Sequence, residues 1–142
     1  MKLISGQRGV GLIEVMVTVL ILSTSLLGLA ALQNKALQYN HSAYMRSQAN
    51  ILAYDILERV RANRTKLADY KLAVTASTPT SSSSLAGQDL IEWRELLKRQ
   101  LPNGTGGITC DNDGNCTATI RWGEQDSTAA DGTTSFEYMT RI

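Results

Sequence analysis

The chain has 142 residues, 43% of them apolar, enough for one small core and too few for two domains of ordinary size. Lys and Arg number 14 against 13 Asp and Glu, so overall charge marks neither a nucleic-acid binder nor a protein drawn to anionic surfaces. The two cysteines, Cys110 and Cys116, stand six apart and suit one local disulfide better than a four-ligand zinc site.

Residues 1–9 carry Lys2 and Arg8 and precede a continuous apolar stretch, residues 10–32, whose only charge is Glu14. As a helix this stretch would be about 35 Å long, enough to cross a hydrocarbon layer of about 30 Å. The preceding bases stay cytoplasmic by the positive-inside rule, which puts everything after Leu32 on the far side of the membrane. A conventional cleaved signal would need a shorter apolar stretch before a small-x-small site, which Gly28-Leu29-Ala30 only imitates. An ordinary anchor has no reason to hold a carboxylate, because an ionisable group in hydrocarbon is costly and usually has a partner.

The run Gly9-Val10-Gly11-Leu12-Ile13-Glu14 after the leader MKLISGQR resembles the precursor motif of type IV pilins and of the pseudopilins of type II secretion. The resemblance implies that a prepilin peptidase cuts between Gly9 and Val10 and methylates the Val10 amine, while Glu14 is retained as an assembly contact. Cleavage would remove Lys2 and Arg8 and leave the mature chain near neutral. If the helix began at Val10, its amine and the Glu14 carboxylate would lie about 6 Å apart along the axis. That spacing favours a contact between staggered chains over one within a chain. Family members often have Phe or Met in place of Val10 and Thr or Ser in place of Gly11. Many also carry a proline in the helix, whereas Pro79 and Pro102 lie outside it here and Gly28 is the softer point.

Past Leu32 the chain turns polar but has no proline or glycine through Asn63. A helical stripe runs through Met45, Ala49, Leu52, Ile56 and Val60, widened by Ala53 and Leu57, with Asp55, Glu58 and Arg61 on the other side. One helix is expected from Val10 to near Asn63, and the stripe is read as a core-packing face. The basic cluster Arg59, Arg61, Arg64 and Lys66 is read as a solvated helix end. Residues 52–63 resemble the matching stretch of the PilV branch of minor pilins, as do Trp93, Leu101-Pro102-Asn103-Gly104 and Ile120-Arg121-Trp122.

Residues 75–84 are rich in Ser and Thr and read as an exposed loop. Residues 88–101 have helical spacing through Leu90, Trp93, Leu97 and Leu101, ended by Pro102-Asn103-Gly104. Residues 106–110 and 116–122 flank the turn-forming run Asp111-Asn112-Asp113-Gly114-Asn115, which predicts a β-hairpin cross-linked by a Cys110–Cys116 disulfide. Phe136, Tyr138, Thr140 and Ile142 alternate with Glu137, Met139 and Arg141 and predict a terminal strand. The acidic turn lacks the Gly and Glu that an EF-hand needs at its sixth and twelfth positions, where Cys116 and Trp122 stand. His41 is the one histidine, and no catalytic, cofactor or metal-ligand set gathers around it. Asn-x-Ser/Thr matches at Asn63, Asn103 and Asn115 are common by chance.

The expected architecture is α+β and pilin-like, a long N-terminal helix packed on a small antiparallel sheet: a leader (1–9), a membrane and assembly half of the long helix (10–32), an amphipathic half (33–64), and a periplasmic head (65–142). The expected role is that of a minor pilin, not an enzyme, that primes pilus assembly. It would meet prepilin peptidase, other minor pilins and the major pilin through the N-terminal helix, first in the inner membrane and then at the cell surface. A minor pseudopilin of type II secretion is the near alternative, and an adhesin or DNA-binding head the alternative of another class. No nucleic-acid partner and no cofactor or metal is expected.

Overall fold

The computed structural model describes residues 11–124, 127 and 129–142. In chain order its elements are helix α1 (Leu12–Ala62), a 3-10 segment (Arg64–Tyr70), helix α2 (Leu85–Gln100), and strands β1 (Thr105–Cys110), β2 (Asn115–Gly123) and β3 (Thr133–Arg141). The chain divides into two units, one reaching to His41 and the other running from Ser42 to Ile142, so α1 contributes to both.

In the first unit every described residue is exposed. Leu, Met, Ala and β-branched residues without proline sustain the helix, whose backbone groups satisfy one another and so tolerate an apolar solvent. Its hydroxyls are also spent internally. Thr18 donates to the Val15 carbonyl at 2.8 Å, Ser23 to Val19 at 2.7 Å, Thr24 to Ile21 at 2.9 Å and Ser25 to Ile21 at 2.8 Å. No Ser or Thr hydroxyl among the described residues of this unit is left as an unpaired donor to be desolvated.

In the second unit the expected stripe of α1 is buried as a set: Met45, Ala49, Leu52, Ala53, Ile56, Leu57 and Val60. It joins one core with Trp93 and Leu97 of α2 and with Ile108, Ala118, Ile120 and Trp122 of the sheet. Helix α2 begins three residues before the expected start, where the Ser84 hydroxyl caps the Gly87 N–H at 3.1 Å. Buried Trp93 locks α2 to α1 by donating its indole N–H to the Leu52 carbonyl at 2.9 Å. On the sheet side Gly106 leaves room for α2, since a Cβ there would meet the Trp93 ring at 2.5 Å and Leu97 Cδ1 at 2.8 Å.

The three strands are antiparallel in the order β1-β2-β3. The predicted hairpin is present, with Cys110 opposite Cys116 and a disulfide between them, their Cα atoms 4.1 Å apart. That spacing belongs to a pair that does not exchange backbone hydrogen bonds, where side chains come closest. The predicted terminal strand is β3, with Phe136, Tyr138 and Thr140 half-buried and Glu137, Met139 and Arg141 exposed. The fold is α+β and pilin-like, with a long apolar N-terminal helix and a small antiparallel sheet.

Candidate functional site

Two places could carry function, the apolar helix and the surface of the head, and they differ in chemistry. On the helix, Glu14 lies in the first turn of α1, its N–H bonded to the Gly11 carbonyl at 2.9 Å, with its side chain exposed. Among the described residues it has no ion-pair partner. A carboxylate at a helix N-terminus gains about 0.3–1 kcal/mol from the helix dipole. The cost of a charge at the centre of a bilayer is about 2.5–3.5 kcal/mol, falling toward the interface. The dipole therefore offsets only part of the cost, and a cation from outside the described residues or from another chain would complete the site. Gly9 and Val10, where cleavage and methylation were expected, lie outside the described residues.

Around Glu14 the helix surface is apolar. Val15, Met16, Val19, Leu20 and Leu27 line a shallow face together with Ser23 and Thr24, whose hydroxyls are already bonded to the backbone. Among the described residues α1 is the one helix long and apolar enough to cross a membrane. None of its most apolar window is buried.

The head gathers charge into two structural devices that sequence reasoning did not find. Arg59, read as part of a solvated helix end, is instead half-buried and clamps α1 to α2. Its guanidinium reaches Asp55 at 3.2 Å, Asp89 at 3.3 Å and Glu92 at 2.6 Å. The hydrogen bond to Glu92 leads the causes that raise the Arg59 pKa, and the same bond leads those that lower the Glu92 pKa. Asp89 also accepts the Tyr70 hydroxyl at 2.6 Å, and burial together with that bond raises the tyrosine pKa. The Asp55–Arg59 spacing of four was visible in the sequence. The partners 30 and 33 residues on were not.

The second device is Arg94, buried without a carboxylate partner among the described residues. It donates to the carbonyls of Ala73 at 2.8 Å and Ala76 at 3.0 Å, pinning the chain where it enters the Ser/Thr-rich loop. Burial lowers its pKa. Neither device leaves an acid, base or nucleophile free in a cleft. His41 is exposed.

The acidic turn is closed on itself. Asp111 accepts the N–H groups of Asp113 at 2.9 Å and Asn115 at 2.8 Å, and the Asn115 side-chain amide at 2.8 Å, which hold its carboxyl below the usual range. Among the described residues no cluster of three or more His, Cys, Asp or Glu side chains could hold a metal ion.

Comparison with known proteins agrees with this division of labour. A family model for the prokaryotic N-terminal methylation motif matches residues 4–30, which include Glu14 and the apolar face. A second family model, described as type IV pilin Tt1218, matches residues 31–121, more than half of the chain. No curated protein and no solved structure matches. The methylation motif implies processing by prepilin peptidase and assembly with other pilins, and the matched family is one of structural subunits, not of enzymes. The chain belongs to the Tt1218-like family of type IV pilins.

Proposed function

We propose that this chain is a minor pilin of the PilV type that primes type IV pilus assembly. In this reading prepilin peptidase cuts between Gly9 and Val10 and methylates the Val10 amine. The helix then anchors the chain in the inner membrane with its head in the periplasm, and Glu14 meets the free amine of a neighbouring subunit. The carrying observation is Glu14 itself: the one acid in the fully exposed apolar stretch of α1, without an ion-pair partner among the described residues, inside a matched methylation motif. Low dielectric would make its pairing with an amine selective for register along the fibre. The resemblance of residues 52–63 to the PilV branch supports the minor role.

The test is quantitative mass spectrometry of purified pili from the native host. The reading expects a methylated Val10 terminus and this chain present at a small fraction of the predominant subunit. A terminus at Ala31 would overturn the processing step, and an abundance equal to the predominant subunit would overturn the minor role.

A further inference from the structure

The two edges of the sheet are finished differently. On the β1 side, Leu72 exchanges both backbone hydrogen bonds with Ile108, at 3.0 and 2.8 Å, and the segment around Val74 crowds Gly107. On the β3 side no further strand pairs among the described residues.

The register says which groups β3 leaves open. Ile142 donates to the Gly114 carbonyl and Glu124 to the Gly132 carbonyl, so the even-numbered residues of β3 exchange bonds with β2. In an antiparallel ladder the alternate residues then aim N–H and C=O at the other edge. Those residues are Thr133, Ser135, Glu137, Met139 and Arg141. Thr133 is closed off, its N–H bonded to Asp131 and its carbonyl to the Ser127 hydroxyl, and the Arg141 carbonyl accepts from Arg61. Ser135, Glu137 and Met139 remain, a window about five residues long.

Beside this window α1 presents a line of largely exposed side chains. Tyr44, Ser47, Ile51, Tyr54, Glu58 and Arg61 follow one another at spacings of three and four, so they share one line on the helix. Tyr54 packs edge-on against Tyr138 and Arg61 reaches Thr140, which places the line alongside β3. Tyr44, Ile51 and Tyr54 are each more than half exposed. The sheet stops one strand short of covering them.

We propose that β3 accepts an added antiparallel strand from another subunit. That strand pairs its backbone with Ser135, Glu137 and Met139 and lays its inward side chains over Ile51 and Tyr54. The exposed side chains specify it further: read from its N-terminus it carries an acid opposite Arg141, an aliphatic, any residue opposite Met139, an aliphatic, and a base opposite Glu137. A second copy of this chain could also match these charges by pairing about Met139. In such a pair, however, the two inward positions would be filled by Thr140 and Tyr138 of the other copy, not by aliphatic side chains suited to Ile51 and Tyr54. The source of the strand, another pilin, rests on the assembly reading above. The edge and its pattern do not.

The experiment uses the full mature chain in detergent micelles and a synthetic nine-residue peptide carrying the acid-aliphatic-any-aliphatic-base pattern between threonines. Amide exchange followed by NMR should slow at Ser135, Glu137 and Met139 on peptide addition, with no change at Tyr138, already bonded to β2. The exposed charge swap Glu137→Lys with Arg141→Glu should weaken the peptide at least about threefold, and a peptide with its own charges swapped should recover that loss. Equal binding of a scrambled peptide, or no protection of those three amides, would overturn the proposal. Concentration-dependent dimers that protect the same amides without peptide would also overturn it, in favour of self-pairing. Either failure would leave the processing and assembly roles of the N-terminal helix untouched.

Discussion

Between Leu12 and Leu32 the large aliphatic side chains of α1 stand at least half exposed, whereas between Met45 and Val60 the same kinds of side chain, Ile51 excepted, are buried almost completely. The difference lies in what interrupts them. The first stretch is apolar on all sides, so it has no face to turn toward a core, and lipid or other helices are the solvents that suit it. The second alternates apolar and polar residues at helical spacing and so has one face to bury. Stability should therefore reside in the head and assembly in the helix, with little exchange between them.

The strongest attempt to break that comparison is Trp93→Ala. It removes a fully buried ring and the bond to the Leu52 carbonyl, and should cost the head about 3–5 kcal/mol in denaturant or thermal unfolding. A loss below about 1 kcal/mol would mean that α2 is not a main element of the core. Replacing Cys110 and Cys116 together by Ser should cost less, at most about 2–3 kcal/mol, because the loop they close is short and cross-linking it restricts the unfolded chain only modestly. Thiol labelling of native protein should leave both cysteines unmodified until a reductant is added.

Trp122→Phe sharpens the account within the head. Trp122 is as buried as Trp93, but its indole N–H has no hydrogen-bond partner among the described residues. Losing that N–H removes a desolvated donor, so the substitution should change stability by less than about 1 kcal/mol. Trp93→Phe, which strands the Leu52 site, should cost more.

The smallest effect concerns acid. Hydrogen bonds from Asn115 hold the folded Asp111 pKa below its unfolded value of about 3.9, and Arg59 does the same for Glu92, whose unfolded value is about 4.3. Both groups bind protons less readily folded than unfolded. Their contribution is therefore complete above those unfolded values and is lost as pH falls through the folded ones. Both are exposed, so the loss should be slight, and Asp111→Asn should flatten the acid limb of a melting-temperature profile by lowering its neutral plateau slightly.

Much of this was legible in the residues because it depends on near neighbours in sequence. The seven-residue stripe from Met45 to Val60, the hairpin with its facing cysteines and the alternation of β3 all follow from periods of 3.6 and 2. What was not legible depends on partners brought together by folding. The Arg59 clamp needs Asp89 and Glu92, the burial of Tyr70 in a 3-10 segment needs α2, and the cover over the β1 edge needs Leu72. The open β3 edge is of the same kind, since an alternating strand reads alike whether or not a neighbour flanks it. For Glu14 the reverse holds. Its offset from Gly9 was plain in the sequence, and the structure adds that nothing among the described residues pairs with it.

The division between helix and head is tested most directly by Glu14→Ala, followed by four readings from one strain: the melting temperature of the purified protein, its membrane level, its leader removal and its co-purification with the other pilins. The account predicts an unchanged melting temperature, normal membrane level and leader removal, and markedly reduced co-purification. A processed variant that co-purifies as well as the wild type would contradict the assembly role of Glu14. A lowered melting temperature would contradict the separation of the two regions.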